Sequence, residues 1–255
     1  MQTIMSGSAT ASSSMSPLKT LTAALSLTLM VSAHPASAGE VTLRDAESVF
    51  AVVTHKAGLA AGMAHNHLIA AADHQAALSF DPAKPLETSF ELRAEAAKLE
   101  VDRGDLQQTW YPRLEALGVL DEPFGEVSEK DRAKIHDSMV SKGQLNAENF
   151  PQITATLLSV SEKATTQGDV AFPYEAKLRL EVRGKAVEKL VAARFEFSGE
   201  TLNVEAVGAY QFSDFGIKPY SAFFGAVKNQ DEIHVYLNLT GTLAEQAAAA
   251  APAED

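Results

Sequence analysis

Residues 170–182 read VAFPYEAKLRLEV, and this stretch decides the fold class. Apolar residues occupy every second position, and from Glu175 onward charged residues fill the positions between them. Because the side chains of a β-strand alternate between the two faces of a sheet, the pattern predicts a strand with one apolar face and one solvated face. Such one-sided strands are typical of antiparallel sheets.

Two more strands follow directly, over residues 191–197 and 202–212, and both show the same alternation. The connections are short and contain Gly184 and Gly199. Parallel strands would need long crossovers, so three strands joined in this way predict an antiparallel meander. A meander has to close on itself or cover its edges, and the alternation alone leaves both possibilities open.

The rest of the chain also reads mostly as strand, with one helical interruption. Alternating segments occur near residues 49–54, 65–80, 90–94, 153–159 and 233–239. A helical insert is predicted at about residues 105–143, with a short helix from Pro112 to Gly118 and a second one capped by Ser128. Ile135 and Met139 mark the buried stripe of the second helix. We expect one domain over residues 39–242.

Both ends of the chain are expected to lie outside this domain. Residues 1–38 carry one charge, Lys19, then an apolar run and the small-residue pattern Ala36-Ser37-Ala38, which predicts a cleaved signal peptide and a periplasmic location. The apolar run is too short for a stable membrane span. Residues 243–255 are rich in alanine and predict a disordered tail.

Charge and composition exclude several classes of function. Loss of Lys19 leaves 20 basic residues against 33 acidic ones, a net charge of about −13 with histidine neutral. This balance argues against nucleic-acid binding and against electrostatic docking on anionic lipid. With no cysteine, thiol catalysis and disulfides are excluded. The sequence has no Gly-x-Ser-x-Gly elbow, no phosphate-cradling Gly-rich loop and no His-Glu-x-x-His motif, which agrees with a binding protein. We expect no catalytic residues and no cofactor.

Five short motifs in order along the chain resemble the YceI family of exported, lipocalin-like proteins that bind polyisoprenoids. They are Lys56 to Ile69 with its small-residue loop, Phe80-Asp81-Pro82, Asn146 to Ile153, Arg183-Gly184-Lys185, and Ser213-Asp214-Phe215-Gly216-Ile217. The resemblance covers residues 45–242. The chain departs from the family pattern in two places: it contains an insert from Leu106 to Lys142, and it lacks the usual Thr after Arg183-Gly184-Lys185. It implies an all-β chain with a helical insert, folded as an antiparallel lipocalin-like β-barrel of about eight strands.

The same resemblance implies that an apolar isoprenoid-type lipid, a polyprenyl chain or a quinone, occupies the barrel interior. The side chains expected to line it lie on apolar strand faces or in the loops that follow: Phe172, Tyr174, Leu178, Phe195, Phe197, Tyr210, Phe212, Phe215 and Phe223. A filled barrel that binds a protein partner has the same aromatic pattern and stays open as an alternative. Pairing of two copies into a homodimer is also left open.

Four histidines, His55, His65, His67 and His74, lie within one short stretch. In an unbroken strand His65 and His67 point to the same face, so they are expected to meet a ligand head group at the barrel mouth. Two alternatives remain at the sequence level. The pair could bind a first-row metal, or act as acid and base on a lipid or quinone.

Overall fold

The computed structural model describes residues 39–243, and the predicted signal peptide and most of the predicted tail lie outside this range. The strands are β1 (Gly39–Leu43), β2 (Val49–Ala57), β3 (His67–Ala70), β4 (His74–Phe80), β5 (Ser89–Glu95), β6 (Glu100–Val101), β7 (Gln152–Ser161), β8 (Thr165–Gln167), β9 (Val170–Phe172), β10 (Tyr174–Val182), β11 (Lys185–Ser198), β12 (Thr201–Gln211), β13 (Ser221–Ala222) and β14 (Val227–Leu243). The α-helices are α1 (Gly104–Ala116) and α2 (Glu129–Val140). Neither helix is long and apolar enough to cross a bilayer, nor is any other helix within residues 39–243.

Eight strands close into an antiparallel barrel, which confirms the predicted fold class. Around the barrel the order is β1-β4-β5-β7-β10-β11-β12-β14, and β14 pairs back onto β1. The long strand β14 pairs with both β1 and β2 along the same edge, so β2 and its hairpin partner β3 complete the wall at one end. A closed sheet leaves no free edge in the barrel wall.

The central meander β10–β11–β12 forms as the alternation predicts. Ala176, Leu178 and Leu180 are buried inside the barrel. The turn to β11 places Arg183 and Gly184 at positive φ, 53° and 69°, as expected for a two-residue hairpin turn. Alternation in β10 therefore separates the core from the solvated surface.

A second apolar cluster lies outside the barrel, between α1 and the outer faces of the strands. Leu114 and Leu117 of the α1 segment pack there against the buried Tyr236 of β14. The helix begins at Gly104, so the predicted start at Pro112 was wrong. Proline inside a helix removes a backbone hydrogen bond, but the apolar packing of the last turn outweighs that loss. The predicted end is close, with Gly118 at φ 66° just after the helix.

The two ends of the barrel are closed differently. At one end four aromatic rings pack together, with centroid distances of 5.8 Å for Phe80–Phe195, 6.1 Å for Phe80–Phe197 and 5.4 Å for Tyr174–Phe195. At the other end α2 covers the opening, and no residue of α2 is fully buried. Its N-terminus is capped as predicted, by the Ser128 side chain accepting from the amide of Asp131. The helix therefore rests over the opening and is not embedded in the core.

Candidate ligand-binding cavity

A cavity of about 380 Å³ lies in the half of the barrel that α2 covers. Its wall is mainly aliphatic and aromatic. It is formed by Phe50, Val52, Ile69, Ala71, Ala94, Leu99, Ile135, Met139, Leu145, Ile153, Leu180, Val182, Phe212, Phe215, Ile217 and Ile233, with Tyr220 and Asn229 near the rim. This volume falls within the range of small-molecule sites, and the lining suits an apolar ligand.

The other half of the barrel is nearly filled. A void of about 40 Å³ remains there, between residues such as Leu178, Phe195 and Leu237. Tyr210 is buried in the same core, where its hydroxyl donates to the carbonyl oxygen of Leu178 at 2.9 Å. Space for a ligand is therefore concentrated at the α2 end.

A polar spot interrupts the apolar wall where β2 and β3 pair. Thr54 and His67 are register partners and both face the cavity. The Oγ1 atom of Thr54 is buried and has no hydrogen-bond partner among the described residues. Because an unpaired buried hydroxyl costs free energy, it is available to a polar atom of a ligand.

Asp102 holds His67 in place from behind. The Nδ1 atom of His67 lies 2.6 Å from Oδ2 of Asp102. Asp102 is buried and also accepts from the Leu68 amide and from Nε2 of Gln107, both at 2.9 Å. When Nδ1 donates to this carboxylate, Nε2 of His67 is left as an acceptor. The imidazole is thus oriented before any ligand arrives.

The rim of the cavity carries charged and polar side chains of α2. Asp131, Lys134 and Ser138 face the cavity, and Nζ of Lys134 donates to Oδ1 of Asp131 at 2.7 Å. The predicted buried stripe, Ile135 and Met139, also faces the cavity but is only half-buried. The rim therefore combines an apolar ceiling with a solvated edge.

Eight of the eleven residues expected to contact the ligand fall into three locations in the barrel. Phe212, Phe215 and His67 face the large cavity. Leu178 and Phe195 face the small void, and Tyr210 packs in the core beside it. Tyr174 and Phe197 belong to the aromatic cluster at the closed end. A ligand-binding role for each of them stays a prediction.

Three of the expected residues lie elsewhere. Phe172 is buried in the outer cluster, because β9 ends at Phe172 and Pro173 separates it from β10. Phe223 lies in a loop and is 77% exposed. His65 precedes β3 and its ring lies against Gly125, so it does not share a strand face with His67. No cluster of three or more metal-ligating side chains forms within residues 39–243.

Sequence reasoning missed Thr54 and Asp102. Thr54 has the same parity as Phe50 and Val52, so strand alternation would have placed it inside the barrel. Asp102 follows the two-residue strand β6 and has φ 49°, a left-handed conformation with no clear sequence signal. Only the tertiary structure brings it to His67.

A second histidine pair lies on the outer side of the barrel wall, away from the cavity. Nε2 of His55 on β2 is 2.9 Å from Nδ1 of His234 on β14. Burial lowers the pKa of both rings, and His234 lowers the pKa of His55 further. The negative charge of Glu232 raises the pKa of both rings, and that of Asp121 raises the pKa of His55. Both effects are smaller than the effect of burial, so the pKa of each ring is lowered overall. The pair is therefore neutral in the folded protein at pH 7.

We expect the protein to lose stability as the pH falls below about 6.5. The folded pKa values of His55 and His234 lie below the unfolded value, so the unfolded chain takes up protons first. Their contribution is fully present above the unfolded pKa and is lost as the pH falls through the folded pKa values. Urea unfolding at pH 7.5 and 5.5 measures the loss. In a His55→Gln/His234→Gln variant, the free energy of unfolding should differ less between the two pH values than it does in the wild type. An equal difference in both proteins would contradict the assignment to this histidine pair.

Comparison with known proteins identifies the family. The family model for the YceI-like domain matches residues 42–241. Among solved structures, Burkholderia cenocepacia BcnA is similar at 17% identity and a TM-score of 0.52, over 78% of this chain and 99% of that one. A Campylobacter jejuni YCEI protein is similar at 13% identity and a TM-score of 0.44, over 68% and 82%. A polyisoprenoid binding domain from Saccharophagus degradans is similar at 7% identity and a TM-score of 0.43, over 81% and 99%. No curated protein sequence gives a significant match. The chain belongs to the family of YceI-like domain proteins.

Proposed function

We propose that this protein is an exported periplasmic binding protein that sequesters or carries one apolar isoprenoid-type lipid, a polyprenyl compound or a quinone. The observation that carries the proposal is the apolar cavity of about 380 Å³ at the α2 end of the barrel, compared with a void of about 40 Å³ in the other half. The resemblance to polyisoprenoid-binding YceI proteins supports the same ligand class. A periplasmic location rests on the signal-peptide pattern of residues 1–38.

The cavity wall provides the main driving force for binding. Each 100 Å² of apolar ligand surface removed from water contributes about 2.5 kcal/mol, so a few isoprene units are enough for useful affinity. Burial of apolar surface is a non-directional interaction, so it does not distinguish one head group from another. Selection requires polar contacts at fixed positions.

Thr54 and His67 supply those contacts. Oγ1 of Thr54 can donate to a carbonyl or hydroxyl oxygen of the head group, and His67 is held in a fixed orientation by Asp102. A quinone carbonyl or a prenyl alcohol would satisfy the orphaned hydroxyl. This arrangement favours an isoprenoid with a small oxygen-bearing head over a plain hydrocarbon.

We expect Thr54→Val and His67→Leu each to weaken binding of a quinone by about five- to tenfold, which corresponds to one hydrogen bond. Both substitutions keep the approximate volume of the side chain and remove a polar atom from the wall. Titration with a short-chain ubiquinone, followed by intrinsic fluorescence, measures the change. His65→Ala is the matched control, since this exposed ring lies outside the cavity. Equal affinities in all four proteins would remove the head-group site.

Native mass spectrometry of protein purified without detergent tests the function itself. One polyprenyl or quinone molecule per chain, identified after extraction, is the expected result. Protein that remains free of ligand after incubation with isoprenoid lipids would favour a filled, partner-binding barrel.

The contact between His67 and Asp102 at 2.6 Å favours a second candidate, an enzyme that modifies the bound lipid or quinone. An imidazole oriented by a buried carboxylate has the arrangement of a general base. Such an enzyme would turn over a lipid or quinone substrate and lose activity in Asp102→Asn. Stoichiometric binding without any change in the ligand favours the carrier.

A further inference from the structure

Two loops at the α2 end of the barrel expose large apolar side chains to solvent. The first loop, residues 57–64, exposes Leu59 fully and Met63 to 81%. The second, residues 219–227, exposes Phe223 to 77% and Phe224 fully. The Ala60 amide donates to the carbonyl oxygen of Ala226 at 2.8 Å, so the two loops are joined. We call these four side chains the loop patch.

The loop patch borders the mouth of the cavity. The first loop lies between Thr54 and His67, and both residues face the cavity. Tyr220, within the second loop, and Asn229, just after it, also face the cavity. Any surface that contacts the patch therefore lies next to the opening through which a ligand would pass.

The sequence of these loops suits the interface of a lipid bilayer. Neither loop contains a charged residue, although 21% of the chain is charged. Lys218 and Lys228 flank the second loop. Lys56, which precedes the first loop, is ion-paired with Glu122 at 2.5 Å. Apolar loop tips enter the acyl region, while flanking basic groups remain at the level of the phosphates.

The backbone of the second loop adopts an uncommon conformation at both exposed rings. Phe223 and Phe224 have φ 49° and 55°, which bulky residues rarely adopt. Strain of this kind is retained where the surrounding structure enforces it, and it often marks a functional segment. In both loops, backbone hydrogen bonds such as Ala61 to Gly58 and Ala226 to Phe223 satisfy polar groups that insertion would remove from water.

We propose that the loop patch docks the barrel onto a phospholipid bilayer and so places the cavity mouth against the lipid from which the ligand is drawn. The proposal rests on the proposed function for its purpose, but docking itself does not require a bound ligand. The occupant is a lipid surface and not a second protein, because two loops without charged residues carry the four apolar tips and Lys218 and Lys228 flank the second loop, which matches the layered polarity of a bilayer. Since the chain is acidic overall, docking depends on apolar insertion and persists at high salt.

Co-sedimentation with phosphatidylcholine vesicles tests the docking. We expect Phe223→Asn/Phe224→Asn to reduce partitioning about tenfold or more, because two aromatic side chains no longer insert. Asparagine tolerates positive φ better than most residues, so the loop should keep its shape, and thermal unfolding checks this. Leu190→Asn is the control, since Leu190 is 58% exposed on β11 outside the patch.

Each outcome decides the proposal. Vesicle binding that is lost in the double variant and retained in Leu190→Asn supports docking. A wild-type protein that stays in the supernatant, or equal sedimentation of all variants, overturns it. Self-association that depends on Phe223 and Phe224, without vesicle binding, also overturns it and assigns the patch to a second copy. Native mass spectra of the same samples separate the two proposals. A protein that retains a lipid in its cavity but does not bind vesicles refutes the docking proposal and leaves the carrier function standing. A protein that binds vesicles but holds no ligand in its cavity refutes the carrier function and leaves the docking proposal standing.

Discussion

We expect Glu205→Ala to lower the free energy of unfolding by about 3–5 kcal/mol. Glu205 on β12 is 1% exposed and binds two guanidinium groups. Arg113 of α1 donates to it through Nε at 2.6 Å and Nη2 at 2.5 Å, and Nη2 of Arg194 donates at 2.5 Å. The hydroxyl of Tyr236 completes the group at 3.2 Å. Removing the carboxylate leaves the half-buried Arg113 without an ion-pair partner among the described residues and leaves Arg194 with only the exposed Glu196, at 3.3 Å.

The same substitution should release α1 from the barrel wall. Burial alone would raise the pKa of Glu205, but the hydrogen bonds and charges of Arg113 and Arg194 outweigh it and hold the pKa below its ordinary value. The carboxylate is therefore ionised at pH 7 and links the helix to the sheet beside the apolar cluster that contains Leu114 and Tyr236. Proteolysis within residues 104–128 should become faster in Glu205→Ala.

Glu188→Ala is the matched control for Glu205→Ala. Glu188 also bonds to two basic side chains, Lys177 and Arg179, but on the solvated outer face. Exposed ion pairs contribute about 0–1 kcal/mol, so this variant should unfold near the wild-type urea concentration. Similar losses in both variants would mean that burial of Glu205 is not what makes its contacts important.

The sequence was most informative for features that depend only on a residue and its near neighbours in the chain. In β10 each apolar side chain faces inward and each charged one outward, so periodicity alone assigns both faces. The Ser128 cap of α2 is equally local. The order of short motifs then indicated the barrel, although the pairing of β1 with β14, about 200 residues apart, leaves no periodic signal.

Other features depend on contacts that a linear pattern does not contain. β7 skips Leu158 in its pairing with β10, so the buried face changes from Ile153 and Ala155 to Val160. The strand break at Pro173 moves Phe172 to the outer cluster. Asp102 meets His67 across 35 positions of sequence. Alternation assigns faces correctly only until a bulge or a break intervenes. It would have placed Thr54 inside the barrel, but it gives no signal for the contact between His67 and Asp102.

Introducing one phenyl ring into each half of the barrel should separate ligand binding from stability. Ala94 and Ala176 are both 3% exposed and both face the interior. Ala94 borders the cavity of about 380 Å³, while Ala176 borders the void of about 40 Å³. We expect Ala94→Phe to weaken isoprenoid binding about tenfold or more, because the ring occupies space that the ligand needs. Its free energy of unfolding should change by less than about 1 kcal/mol, since the added atoms fill an existing void.

Ala176→Phe should show the opposite result. The ring exceeds the small void, so neighbouring side chains must move at a cost of about 1–3 kcal/mol, while ligand binding at the α2 end is retained. Urea unfolding and quinone titration of both variants measure the two effects. If Ala94→Phe binds the ligand as tightly as the wild type, the ligand does not occupy the cavity under α2. If both variants lose stability equally, the barrel interior is not divided as the two volumes indicate.

A divided barrel explains why so many inward aromatic residues can coexist with a ligand: those near the closed end maintain the fold, which leaves the α2 end free to bind.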